Sequence, residues 1–168
     1  MTDLPTRIFK LRFIYLAIIT LFLFLHTLPN QTNFDFIFLP DVMLSLTFVW
    51  IVRRPDIIGP ILLTLTFLFA DILLQRPPAL WSLIVLCIGM FLRARAIEFQ
   101  ESFFIYEWAT AAGLIICCYT LQYIAMRITA IPVYDPGLIV IQTASAIMLY
   151  PIFVWLFRPL LKIKILDN

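Results

Sequence analysis

Residues 57–81 read IIGPILLTLTFLFADILLQRPPALW, and this stretch decides the fold. Up to Gln75 the run is apolar with a single ionisable side chain, Asp71, and about 20 such residues suffice for a helix to cross a bilayer. The run ends at Arg76-Pro77-Pro78, because a diproline cannot lie inside a continuing helix but can open the next one. The stretch therefore predicts one membrane-spanning helix, a sharp corner and the start of a second helix.

Outward from this corner the rest of the chain is equally apolar. Of its 168 residues, 63% are hydrophobic and 13% are charged, against about 45–50% and about 25% in a typical soluble domain. This composition excludes a soluble enzyme domain and a separate nucleic-acid-binding domain. It predicts an all-α, polytopic membrane helix bundle that forms a single domain over residues 1–168, with about six transmembrane helices. The predicted spans are residues 8–28, 34–52, 57–75, 79–92, 106–126 and 136–157.

Prolines and mixed segments predict irregularities in these spans. Pro40 predicts a kink or a late start in the second helix, and Pro151 predicts an interruption of the sixth. Residues 97–105 mix glutamates with phenylalanines, a pattern typical of a short amphipathic turn in the membrane interface.

Charge placement predicts the orientation. With the N terminus in the cytoplasm, six spans return the C terminus to the cytoplasm. Every basic residue then falls in a cytoplasmic segment except Arg76 and Arg127. Short cytoplasmic loops of membrane proteins carry such an excess of lysine and arginine. The sequence therefore predicts that both termini lie inside the cell.

The informative residues are ionisable groups at membrane depth. Asp41 and Asp71 both fall in the outer half of consecutive spans, where carboxylates are costly and need a partner or a water cavity. Arg76 is the obvious partner, because its aliphatic stem can reach inward. We expect this cluster to serve helix packing or partner binding in preference to catalysis. The predicted polar cluster comprises Pro40, Asp41, Asp71, Arg76, Pro77 and Pro78.

The sequence offers little evidence for catalysis, metal binding or phosphate binding. His26 is the lone histidine, and Cys87, Cys117 and Cys118 lack the spacing of a zinc site. The four glycines form no phosphate-binding loop. We therefore expect no catalytic residue, no cofactor and no metal site.

A string of short motifs extends from the second predicted span, through the diproline, to the start of the fifth. It comprises Pro40-Asp41-Val42-Met43-Leu44, Trp50, Arg53-Arg54-Pro55, Ala70-Asp71-Ile72-Leu73, Arg76-Pro77-Pro78-Ala79-Leu80-Trp81, Phe91-Leu92-Arg93 and Glu107-Trp108. This string resembles that of the MreD family, the small polytopic membrane subunits of the bacterial rod-shape (elongation) machinery, and looks like its alphaproteobacterial type. Alanine stands at position 79, where the family usually has glycine, and we expect little consequence because alanine also favours a helix start.

The resemblance implies a non-enzymatic, multi-pass protein of the bacterial inner (cytoplasmic) membrane. It implies binding to the bitopic protein MreC and coupling of cytoplasmic MreB filaments to peptidoglycan synthesis by RodA-type and penicillin-binding wall synthases. It also implies a fold similar to the six-helix membrane subunit (S-component) of vitamin-uptake transporters. Whether the protein forms a homo-oligomer stays open.

For this function, we predict that the polar cluster shapes a groove for a partner helix. We place cytoplasmic contacts at Arg53, Arg54, Glu107 and Trp108. The two arginines would meet anionic lipid or a cytoplasmic partner, although ordinary anchoring by positive charge is the favoured reading for them.

Two other functions stay open at this point. A small-molecule-binding subunit of a transporter would need a polar pocket near the outer face, and the few polar residues in the spans argue against it. An intramembrane aspartic protease, similar to lipoprotein signal peptidase, would need Asp41 and Asp71 close enough to share a proton. The surroundings of the two aspartates do not resemble those of that family.

Overall fold

The computed structural model describes residues 3–27, 42–75, 77–101, 103–129 and 135–161. All regular secondary structure in these ranges is helical, which confirms the all-α class for this part of the chain. The helices are α1 (Asp3–Thr27), α2 (Val42–Arg53), α3 (Pro60–Leu73), α4 (Leu80–Ala94), α5 (Ala96–Glu101), α6 (Phe104–Ile128) and α7 (Pro136–Leu161).

Three of these helices are long and apolar enough to cross a membrane. Their candidate spans are Ile8–Leu25 in α1, Phe104–Ile128 in α6 and Pro136–Arg158 in α7. Helices α2, α3 and α4 are apolar but shorter, with 12, 14 and 15 described residues. At 1.5 Å per residue they measure about 18–23 Å, less than the roughly 30 Å of a hydrocarbon core.

Helix α2 lies at the centre of the bundle. Every residue from Val42 to Val52 is buried, and the helix contacts α1, α4, α5, α6 and α7. A helix that is hydrophobic on all sides belongs in such a position, because it has no face that prefers water. At its C-terminal end Trp50 packs against Tyr15 of α1 and Phe157 of α7, with ring centroids 5.5 Å and 6.0 Å away.

The outer helices expose large apolar side chains. Phe9 of α1, Ile61 of α3 and Trp155 of α7 are each more than two-thirds exposed. Contiguous apolar surface on this scale is rare on soluble monomers and is the expected surface of a protein surrounded by lipid.

The bundle has two ends with different polar contacts. At one end Arg12 of α1 donates hydrogen bonds to the Ile57 and Asp56 carbonyl oxygens, at 3.0 Å and 3.3 Å, in the turn after α2. Arg53, the last residue of α2, reaches the start of α6 at the same end. We call this the Arg53 end. The connection between α3 and α4 lies at the opposite end and contains the diproline.

Helix α4 approaches α3 and α2 closely at Gly89. A Cβ atom at this position would lie 2.8 Å from Leu63 Cδ2 and 3.3 Å from Ile51 Cδ1. The glycine therefore fills the space between three helices with the smallest residue available.

The expected interruption of the last span by Pro151 is wrong. Helix α7 is continuous from Pro136 to Leu161. Proline removes the N–H group that would bond the carbonyl of Ile147, four residues earlier. The indole Nε1 of Trp108 donates to that carbonyl oxygen at 3.3 Å, so the lost helix bond is replaced by a side chain of α6.

Candidate functional site

The first candidate site is the diproline corner, which we define as residues 74–79 without Arg76. The backbone takes positive φ values at two positions of this corner, 52° at Gln75 and 70° at Ala79. Between them, Pro77 and Pro78 contribute no N–H groups, and α4 begins directly afterwards at Leu80. The predicted sharp stop of one helix and start of the next is therefore found here.

Ala79 is in the left-handed region, outside helix α4. The expectation that alanine in place of glycine has little consequence rested on the helix preference of alanine. That preference is irrelevant here, because Ala79 does not have a helical backbone conformation. A left-handed residue other than glycine costs roughly 1–2 kcal/mol. Ala79 therefore strains the corner where glycine would not.

Asp71 connects the two helices of this corner. Its side chain is completely buried, and its Oδ2 accepts a hydrogen bond of 3.1 Å from the backbone N–H of Ser82. Ser82 is the third residue of α4, and its N–H is one of the groups that a helix start leaves without an internal partner. Ala79, at the N-cap position, has no side-chain oxygen to cap it. The carboxylate of Asp71 therefore caps α4 from the neighbouring helix, where the helix dipole also favours negative charge.

The rest of the predicted polar cluster is only partly visible. Pro77 and Pro78 lie beside Asp71 in the sequence and form the corner as expected. Pro40, Asp41 and Arg76 lie outside the described residues. Ser82, which the sequence did not single out, supplies one hydrogen-bond donor to Asp71 through its backbone N–H.

The second candidate site is a junction of α2, α6 and α7 at the Arg53 end. Arg53 Nη2 lies 2.8 Å from Glu107 Oε2, and the Tyr150 hydroxyl donates to Glu107 Oε1 at 2.9 Å. Glu107 is 3% exposed and Tyr150 is fully buried. Each carboxylate oxygen thus has its own donor, one from α2 and one from α7. We call these residues, together with Trp108, the Glu107 junction.

Further side chains tie the same part of α7 to its neighbours. Ser45 of α2 donates to the Ala146 carbonyl oxygen at 2.8 Å, next to the Ile147 carbonyl that accepts from Trp108. Both bonds converge on the turn of α7 before Pro151. Helix α7 is therefore held to α2 and α6 by polar bonds at the position where its own hydrogen bonding is weakest.

A separate bond links α1 to α2. Thr47 donates its hydroxyl hydrogen to the Met43 carbonyl at 2.6 Å, and the Tyr15 hydroxyl lies 3.0 Å from the Thr47 oxygen. Because a hydroxyl has one hydrogen, Tyr15 must be the donor of the second bond.

The four residues predicted as cytoplasmic contacts divide into three groups in the structure. Arg53 and Glu107 pair with each other, and Trp108 bonds α7. Arg54 directly follows α2, and its backbone N–H donates to the Trp50 carbonyl at 2.8 Å. The sequence reasoning missed Tyr150 and Ser45. The sequence showed that a carboxylate in an apolar segment needs donors, but several hydroxyl groups lie in these helices and nothing distinguished Tyr150 among them.

The chemistry of both sites is that of interhelical polar bonds. Among the described residues, no group of three or more His, Cys, Asp or Glu side chains is placed to hold a metal ion. No family model, no curated protein and no solved structure matches this chain.

Proposed function

We propose that this chain is a non-enzymatic, multi-pass subunit of the bacterial inner membrane, of the MreD type, which binds MreC and helps couple MreB filaments to peptidoglycan synthesis. The observation that carries the proposal is that both carboxylates buried among the described residues hold helices together. Asp71 caps α4 and Glu107 joins α2 to α7. Buried charges engaged in holding helices together suit a scaffold that presents fixed surfaces to partners.

The proposal includes six spans with both termini in the cytoplasm. In this arrangement α1, α2, α3, α4, α6 and α7 are the spans, and α5 lies in the interface. The contacts of Arg12 and Arg53 support it, since they bring the start of α1, the end of α2 and the start of α6 to one end of the bundle. Alternating spans require that relation, and the same end carries the arginines of the positive-inside pattern.

The proposed surface for MreC is the outer side of the diproline corner. Asp71 is buried and cannot itself touch a partner, so it acts by holding the corner in place. Beside it, Pro78 and Ala79 are exposed, and Ile72 and Leu83 are each more than half exposed. A partner helix could pack against these apolar side chains and the small alanine, as close packing drives helix association in membranes.

Co-purification with MreC tests this surface. The variant Asp71→Ala should lower the recovery of MreC from native membranes while the protein stays in the membrane, because α4 loses its cap and the corner shifts. The double variant Ile72→Ala, Leu83→Ala should lower it without touching the buried carboxylate. The matched control is Ile61→Ala, an exposed α3 residue at the other end of that helix.

Unchanged MreC recovery in both corner variants, at unchanged membrane level, would remove the corner as the docking surface. Identification of the proteins that co-purify with the tagged wild-type chain tests the assignment itself. MreC, MreB or wall synthases are the expected partners. A small molecule retained by the purified protein and seen by mass spectrometry would instead favour the transporter-subunit function.

A further inference from the structure

A patch of exposed apolar side chains lies at the Arg53 end, between α4 and α6. It comprises Ile97, Phe103, Phe104, Ile105 and Tyr106, and we call it the interfacial patch. Phe103 is 88% exposed, and Ile105 and Ile97 are 74% and 70% exposed. Exposure of such large apolar side chains to water is unfavourable in free energy, because burial of their apolar surface would be favourable.

Buried side chains and backbone hydrogen bonds attach this patch to the bundle. On the inner side of α5, Ala96 and Phe99 are buried against the bundle, and the Phe99 ring lies 6.0 Å from that of Tyr106. The Phe103 carbonyl accepts hydrogen bonds from the backbone N–H groups of Tyr106 and Glu107, at 2.9 Å and 3.3 Å. The outward direction of Phe103 is therefore fixed by the start of α6, which Glu107 in turn fixes to Arg53.

The length of α6 bears on the depth of the patch. Its 25 residues span about 37 Å, whereas a hydrocarbon core is roughly 30 Å thick. A helix of this length that crosses upright reaches past the core into the boundary between acyl chains and headgroups. Phe103 at the N-cap and Phe104 to Tyr106 in the first turn lie at one of these two ends.

The charged residues beside the patch have the pattern of such a boundary. Arg95 lies with its guanidinium 5.3 Å from the centroid of the Phe91 ring, and its Nη1 is 3.8 Å from Glu98. Phe91 is about half exposed on α4, so the apolar surface of that helix continues into the patch. An apolar body with charged groups at its rim is the arrangement of amphipathic segments that lie in the membrane plane.

We infer that the interfacial patch is inserted among the lipid acyl chains just below the headgroups of the leaflet at the Arg53 end. The occupant of this surface is lipid. Residues 93–101 carry two arginines and two glutamates, so apolar contact and not net charge drives the insertion. The inference needs a bilayer around the helices, and it does not depend on MreC or on the MreD resemblance.

Nitroxide labelling of single cysteines tests the inference. The full chain, with the exposed Cys87 and Cys117 replaced by serine and the buried Cys118 by alanine, carries Phe103→Cys or Ile97→Cys and is reconstituted in phosphatidylcholine–phosphatidylglycerol vesicles. Collision rates with oxygen and with a water-soluble nickel complex give the depth of each label. We expect both labels about 5–10 Å below the phosphate level. Asp56→Cys, on the exposed turn at the same end, is the control expected in water.

Three results would overturn the inference. Labels at 103 and 97 with the water accessibility of the label at 56 would place the patch outside the membrane. Labels shielded from both oxygen and nickel would indicate that a protein, a partner or a second copy, covers the patch. Immersion that disappears in vesicles of phosphatidylcholine alone would show that anionic headgroups, and not the apolar side chains, hold the segment. The use of two label positions keeps the test valid if one variant fails to fold.

Discussion

Removing the Glu107 carboxylate is the strongest test of how this bundle is held together. Glu107→Ala leaves Arg53 without its acidic partner and the buried Tyr150 hydroxyl without its acceptor. Deleting one member of a buried ion pair costs about 3–5 kcal/mol. The side chain of Arg53 is one-third exposed, so it can turn towards headgroups or water and recover part of its solvation. We therefore expect a loss at the lower end of that range, about 3 kcal/mol.

The assay is unfolding in mixed micelles of detergent and SDS, followed by tryptophan fluorescence and circular dichroism. A loss of about 3 kcal/mol raises the ratio of unfolded to folded protein roughly 100-fold at a given SDS content. Glu107→Gln keeps an oxygen that can accept from Tyr150 but loses the charge that binds Arg53. Its loss should therefore fall between those of the wild type and Glu107→Ala.

A double-mutant cycle then measures the coupling between Glu107 and Tyr150 and distinguishes it from a general effect of losing a charge. Tyr150→Phe alone should cost about 0.6–1.7 kcal/mol, from the average to the maximum measured for hydrogen bonds between membrane helices. In the Glu107→Ala background the same change should cost almost nothing, because the acceptor is already absent. Tyr106→Phe, at an exposed tyrosine on the same helix as Glu107, is the control expected to be neutral. Additive losses, within about 0.3–0.5 kcal/mol, would refute the coupling between Glu107 and Tyr150.

Three further predictions follow from backbone and packing. Ala79→Gly should stabilise the protein by about 0.5–1 kcal/mol, since relief of the left-handed alanine outweighs the added freedom of the unfolded chain, and a lower SDS midpoint would contradict this. Trp108→Phe should cost about 0.6–1.7 kcal/mol in the wild type but little in Pro151→Ala, where a restored backbone N–H can bond the Ile147 carbonyl. Equal costs in both backgrounds would count against the indole as the replacement for the helix bond that Pro151 removes. Gly89→Leu should destabilise by about 1–3 kcal/mol by overpacking, whereas Gly113→Leu, where a Cβ meets nothing within 4 Å, should be neutral or stabilising. Similar midpoints for the two leucine variants would show that Gly89 is not a close contact.

Much of the helical framework could be predicted from the sequence, because apolar runs and proline stops act locally. The predicted run over residues 57–75 contains α3, and the diproline ends it as expected. The predicted amphipathic turn near residues 97–105 overlaps the short helix α5. These features depend on neighbouring residues in the chain, so they can be inferred without knowing which helices touch.

The contacts within the candidate sites could not be predicted in the same way, because they join distant segments. The sequence pointed to Asp71 but could not show that this side chain accepts a hydrogen bond from the backbone N–H of Ser82. It pointed to Glu107 and Trp108 but gave no reason to connect them with Tyr150 and the turn before Pro151, about 40 residues away. The error over Pro151 has the same origin. Membrane helices tolerate an internal proline where neighbouring groups satisfy the freed carbonyl, and here the replacement comes from another helix.

The position of these polar bonds also explains how a bundle with so few polar residues can have a defined register. Apolar helices in lipid gain little from apolar contact alone, because lipid chains offer equivalent contact. Close packing at Gly89 fixes how near α4 comes to α3 and α2, but smooth apolar surfaces still allow helices to slide. Asp71 prevents sliding of α3 against α4 at one end, and Glu107 prevents sliding of α6 and α7 against α2 at the other. Since neither bond tolerates a shift of one helical turn, one buried carboxylate sets the height of α4 relative to α3, and the other sets the heights of α6 and α7 relative to α2.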